Sequence, residues 1–271
     1  MTAIRVGDAV KSQVGGNSAY AEKRADQFCK VPQRITWLFW LTKSCATTVG
    51  ETLSDYFNVD LGLGLGGCAA LFFPLLFLNL GFVFYWPKYN PCAYWLAVVL
   101  MSICGTIMTD GLHDNLGVEL WIEVIVFFFL MCVAFIGWYY SEGTLDIHSI
   151  FTTKREAFYW SAVIFTFALG TAVGDGIAEA AGIGFGATFG LFCGVLIAIY
   201  VAFMMKLLDE VTAFWFAYIM TRPLGAAAGD LIASPKSVHA GGVGVGGTSL
   251  IFTGTKPFVF FYHTVVNSSE N

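Results

Sequence analysis

Charge is what this chain has least of. Asp, Glu, Lys and Arg together make up 12% of its 271 residues, where a soluble domain carries about 25%. A chain so poor in charge, with a mean hydropathy of +0.70 and long apolar runs, is not a single water-soluble globule. Basic residues are scarcer than acidic ones, 14 against 19 for a formal charge of −5. No basic stripe interrupts the apolar runs, and binding to a phosphate backbone needs one, so no nucleic-acid partner is expected. Disulfide and zinc frameworks are missing as well. The 7 cysteines are odd in number, none is spaced CxxC, and most fall inside apolar runs, where a thiol behaves as a small hydrophobe. No HExxH, GxSxG or P-loop occurs. Neither an enzyme nor an ATP-driven pump is predicted, and no cofactor is implied.

What is present is hydrophobic and aromatic: 57% and 17% of residues, with 26 Phe and 8 Trp. Residues 1–30 are the one clearly polar stretch and read as a loosely ordered tail without a signal-like apolar region. From Arg34 onward, apolar segments of about 20 residues, the length a helix needs to cross a bilayer, follow one another closely. Spans are predicted near 35–54, 62–86, 92–112, 117–140, 157–179, 183–206, 211–232 and 242–265. The lipid bilayer is thus the first partner. Arg5, Lys11, Lys23, Arg24, Lys30 and Arg34 precede the first span, and Lys88, Lys154, Arg155 and Lys206 fall in alternate connections. On the other side only Lys236 lies in a loop, so the positive-inside rule puts both termini in the cytoplasm.

The chain repeats itself. Segments ending at Glu51, Asp110, Asp175 and Asp230 align without a gap, and Trp95, Trp160 and Trp215 stand 15 residues before the last three acids. In this register Thr36 takes the tryptophan position of the first copy. Thr47, Thr106 and Thr171 precede the acid by four residues, and Asp55, Asp114 and Glu179 follow it by four. Lys43 and Arg222 share the position eight residues before it. GxGxG runs (Gly62-x-Gly64-x-Gly66, Gly182-x-Gly184-x-Gly186, Gly242-x-Gly244-x-Gly246) come next and read as helix-packing glycines, with Gly117 and Glu119 in the second copy. The fold class predicted is all-α: a polytopic membrane protein with eight transmembrane helices as four parallel two-helix repeats, over about 31–90, 91–150, 151–208 and 209–266. The first helix of each repeat would line the centre, and 267–271 would form a short C-terminal tail.

ThrThrValGlyGluThrLeuSerAspTyr at 47–56, ThrAspGlyLeuHisAspAsnLeuGlyVal at 109–118 and ThrArgProLeuGlyAlaAlaAlaGlyAspLeu at 221–231 resemble the bacterial integral membrane proteins built from four tandem copies of a repeat of unknown function. These are also described as uncharacterised membrane-anchored proteins. The resemblance covers roughly 30–265 and implies two transmembrane segments per repeat and a bacterial inner-membrane location. It implies no activity.

Carboxylates at membrane depth are costly, so their default reading is functional. Glu51, Asp110, Asp175 and Asp230 are expected to form one acidic ring, with Asp55, Asp114 and Glu179 as a second set a turn further on. The hydroxyls of Thr47, Thr106 and Thr171 would line a polar path beside them. Oxygen ligands suit protons and hard cations, and His113 with Glu119 would extend a site to a divalent metal. Lys43 and Arg222 would serve as counter-charges. The function expected is a secondary transporter or permease for a small cation, coupled to protons. The alternative is a membrane scaffold or sensor whose buried charges form a structural network.

Overall fold

The computed structural model describes residues 29–32 and 34–233. Residues 1–28 of the tail read over 1–30, the last span at 242–265 and the C-terminal tail at 267–271 lie outside the described residues. Among the described residues there is no strand and there are seven α-helices: α1 Trp37–Asp55, α2 Gly64–Tyr85, α3 Pro91–Asp110, α4 Leu120–Glu142, α5 Thr153–Asp175, α6 Phe185–Met204 and α7 Glu210–Ala233. The protein is all-α, as its apolar runs predict.

Breaks between helices follow local chemistry. Asn90 accepts from the Ala93 amide ahead of Pro91 at the first turn of α3, and Thr152 accepts from Arg155 to start α5. Gly143, with φ 71°, ends α4. Five helical stretches are long and apolar enough to cross a membrane: Gly64–Tyr85, Pro91–Asn115, Leu120–Glu142, Thr153–Ala180 and Phe185–Met204. Helices α1 and α7 fall short of that hydropathy because Lys43, Glu51, Asp55, Arg222 and Asp230 lie within them.

The helices form two layers. Helix α1 packs on α3 and α7, and α5 packs on the same two, which closes a ring of four. Outside it, α2 lies on α3, α4 on α5 and α6 on α7. Burial follows this division. Most residues of α3 are buried, whereas α4 buries a stripe at helical spacing (Leu120, Glu123, Phe127, Met131, Ala134, Trp138). Its opposite face exposes Ile125, Phe128, Phe129, Val133 and Ile136. A helix apolar on its outer face belongs in lipid, and together these helices mark a membrane protein.

Close approaches within the ring fix the repeat register. Gly50 of α1 meets Ser102 of α3, and Gly105 of α3 meets Phe167 of α5. Gly170 of α5 meets Arg222 of α7, and Gly225 of α7 meets Thr47 of α1. Each glycine precedes an aspartate by five residues, and each partner precedes one by eight, if those aspartates are Asp55, Asp110, Asp175 and Asp230. Single π-helical turns then follow directly, at Tyr56–Asp60, Gly111–Asn115 and Gly176–Ala180. Gly62, Gly117 and Gly182, all at positive φ, end them. The tryptophan of the first repeat is therefore Trp40, matching Trp95, Trp160 and Trp215. This corrects the register that starts from Glu51. That register slips by one helical turn, because Thr47, Val49, Gly50 and Glu51 imitate Thr171, Val173, Gly174 and Asp175. A four-residue slip keeps nearly the same helix face.

Candidate functional site: a polar column inside the helix ring

Counting back from each aspartate in steps of four follows one face of each inner helix and resolves the ring's interior into tiers. The aspartate tier is Asp55, Asp110, Asp175 and Asp230, all half-buried. One turn toward the N-terminal ends stand Glu51, Thr106, Thr171 and Ala226, then Thr47, Ser102, Phe167 and Arg222. Lys43, Val98, Val163 and Tyr218 follow, and Phe39, Tyr94, Tyr159 and Phe214 make the last tier. Every residue of these four inner tiers is buried.

Two of them depart in charge from their repeat equivalents and meet. Arg222 Nη2 lies 2.6 Å from Glu51 Oε2, and both Arg222 (2.7 Å) and Glu51 (3.0 Å) bond the Thr106 hydroxyl, which donates to the carboxylate. Nε and Nη1 of Arg222 have no hydrogen-bond partner among the described residues. Lys43 is held differently. Its ammonium donates to the Tyr218 carbonyl at 2.9 Å and the Thr221 hydroxyl at 2.6 Å, and sits 3.9 Å from the Tyr218 ring centroid. Among the described residues no carboxylate pairs with it. Lys43 precedes Asp55 by twelve residues and Arg222 precedes Asp230 by eight, so the two bases occupy different tiers.

The four aspartates share one electrostatic environment. Glu51 acts on Asp55, Asp110, Asp175 and Asp230, and Arg222 acts on Asp55, Asp175 and Asp230. Among the described residues none of the four has an ion-pair partner. Asp114 and Glu179 are exposed. They lie within the π turns, whose wider winding rotates them off the face of Asp110 and Asp175, so they form a rim rather than a second buried ring. Of the three threonines read from the sequence, only Thr106 reaches a carboxylate among the described residues. Thr47 donates to Ser44 O at 2.8 Å and Thr171 to Phe167 O at 3.2 Å.

His113 Nδ1 is engaged with Val118 O at 2.8 Å, and Glu119 is an exposed residue ahead of α4. Among the described residues no three His, Cys, Asp or Glu side chains gather as a metal-holding group, so neither residue joins one. The structure adds what the sequence reading missed: Ser102, Thr221, Tyr218 and the Tyr94–Tyr159 hydroxyl pair, 2.6 Å apart. The signal for most of them was the four-residue stripe running back from each aspartate.

Four inner helices with Trp, Gly and Asp at fixed intervals, each inner helix among α1, α3 and α5 followed by an apolar outer one, define a membrane-type protein of tandem helical repeats. The model of the Repeat of Unknown Function (DUF347) matches it four times, at 38–89, 93–144, 158–206 and 213–268, and the chain belongs to that family. Asp55, Asp110, Asp175 and Asp230 fall at one offset from the starts of the four matches, in agreement with the register of the helix contacts. No curated protein and no solved structure matches the chain.

Proposed function

We propose that the protein is an integral membrane permease for a small cation, a proton or a metal ion, with Asp55, Asp110, Asp175 and Asp230 as its receiving ring. The observation that carries this is a stack. Four repeat-equivalent carboxylates, half-buried at one end of a closed helix ring, sit above a fully buried Arg222–Glu51 pair. A carboxylate at membrane depth costs about 2.5–3.5 kcal/mol, and packing alone gives no reason for four that have no ion partner among the described residues. A cation reaching the ring competes with Arg222 for negative charge. Displacing the guanidinium from Glu51 would couple occupancy to opening, as in other intramembrane relays.

The reading includes eight spans in four parallel units, with 242–265 as the eighth. Two observations support parallel units. Phe39, Trp95, Tyr94, Tyr159, Trp215 and Phe214 meet near the N-terminal ends of the inner helices, while the aspartates gather at the other ends. With the basic residues concentrated on the N-terminal side, both termini would face the cytoplasm from a bacterial inner membrane.

A second reading, a scaffold or sensor with a structural charge network, is favoured by the Glu51–Arg222 ion pair and the Thr106 hydroxyl that both of them bond. Purified protein in liposomes separates the two. Proton or cation flux lost in Asp175→Asn and Asp110→Asn supports the permease. Folded variants that retain full flux, or wild type with none, favour the network.

A further inference from the structure

We infer that the species moved along the axis is the proton itself, and that the Tyr94–Tyr159 hydroxyl pair gates the N-terminal end of its path. This rests on the permease reading and narrows it.

The axis is closed to anything larger. At three of the four contacts around the ring, a Cβ on the glycine would collide with the neighbouring helix: Gly50 with Ser102, Gly170 with Arg222, Gly225 with Thr47. The helices therefore touch nearly backbone to backbone below the aspartates. Thr47, Ser102, Thr106 and Thr171 are wholly buried there. A hydrated metal ion has no passage between such tiers, and the described residues hold no metal-ligating group to strip its water. A proton needs only hydrogen-bonding groups, and every tier supplies at least one.

Three links are already made. Thr106 donates to Glu51 at 3.0 Å, Lys43 to Thr221 at 2.6 Å, and the Tyr94 and Tyr159 hydroxyls hydrogen-bond each other at 2.6 Å. The steps between them lie beside Arg222 and Lys43, the two long side chains of the column, whose rotation would join or break it. In a completed path each hydroxyl gives its proton to the acceptor ahead and takes one from the donor behind, so no hydroxyl changes its net charge.

The tyrosine pair is the clearest functional departure in the column. Its tier reads Phe39, Tyr94, Tyr159, Phe214, and phenylalanine serves the packing in two of the four repeats. The two hydroxyls are not needed to fill space, and burying them is unfavourable unless they bond each other. Cys29, Val31, Ile147 and Ile150 share one buried cluster with the two tyrosines, and Glu156, three residues before Tyr159 on the same helix, is fully buried and paired with Lys30. The two hydroxyls are thus the step between the column and the Lys30–Glu156 pair, where a proton path is opened or shut.

The test uses the full chain in liposomes with an internal pH dye, a clamped membrane potential and, separately, fluorescent reporters of divalent cations. Wild type should carry protons with no metal-ion gradient. Tyr94→Phe with Tyr159→Phe should lower that flux by about a hundredfold while the unfolding midpoint holds. If the double variant loses its midpoint, Tyr159→Phe alone carries the test. Proton flux that requires a co-transported metal overturns the inference and leaves the permease standing, as does flux unchanged in folded tyrosine variants. No flux of either kind from folded wild type overturns both.

Discussion

Arg222 of the fourth repeat and Glu51 of the first close an ion pair of 2.6 Å at a depth where their side chains are 0% and 4% exposed. Neither residue follows the repeat. The equivalents of Arg222 are Thr47, Ser102 and Phe167, and those of Glu51 are Thr106, Thr171 and Ala226. Two departures that meet in space form one unit. Breaking such a pair leaves an uncompensated buried charge and costs about 3–5 kcal/mol, whereas removing both partners is often close to neutral. Glu51→Thr and Arg222→Thr should each lower the thermal midpoint sharply, and the double variant should recover most of the loss. A double variant as unstable as the sum of the singles would mean that the two charges act independently.

The glycines between inner helices act sterically. Gly50→Ala and Gly225→Ala would press a methyl group into Ser102 and Thr47, and overpacking of this kind costs about 1–3 kcal/mol. Gly66 and Gly190 meet nothing among the described residues, so Gly66→Ala and Gly190→Ala should be near neutral. Thermal unfolding in detergent compares the two groups, and equal losses in both would remove the close-packing argument.

How far the molecule can be read from its sequence depends on what each residue reports. Apolar runs and aromatic spacing give the helices, because an inner helix of either repeat buries the same kinds of side chain. The four-residue step hides the register: Glu51 beside Thr47 looks like Asp175 beside Thr171, while Trp40, 15 residues before Asp55, and the lateral contacts of Gly50 and Gly225 separate the two. Lys43 and Arg222 look equivalent for the same reason, yet one meets a carbonyl, a hydroxyl and a ring while the other meets a carboxylate. Asp114 and Glu179 look like partners of Asp110 and Asp175 on an ideal α-helix, and the π turns remove them from that face. The Tyr94–Tyr159 pair needs two repeats to be brought side by side before it exists at all.

The segment entering α1 is fastened at the N-terminal end of the ring. Lys30 Nζ lies 2.7 Å from Glu156 Oε2 and 2.9 Å from Phe84 O. Cys29 and Val31 are 1% exposed, and the Lys30 amide donates to Ile150 O at 3.2 Å. Glu156 is fully buried, so removing its cation strands a carboxylate. Lys30→Met should destabilise by about 3 kcal/mol and speed proteolysis within residues 1–36. Lys30→Met with Glu156→Gln should slow cleavage again. Identical cleavage rates in wild type and Lys30→Met would show that this attachment does not hold the segment.

Asp209 starts α7 from outside the membrane-spanning segments. The Thr212 hydroxyl donates to its Oδ1 at 2.7 Å and the Thr212 amide to its Oδ2 at 3.0 Å. These bonds hold the carboxyl below its usual value. Because the folded form is the stronger acid, the cap contributes stability above the unfolded aspartate value of about 3.9. That stability is lost as pH falls through the lowered folded value. Amide exchange at Thr212 and Ala213 should therefore show slight protection at neutral pH that fades in acid, after correction for intrinsic rates. Asp209→Ala should lack the protection at both pH values, and Asp209→Asn, a cap that does not titrate, should keep it at both. Protection in wild type that is flat from neutral pH to below 3 would show that the carboxylate does not supply the cap.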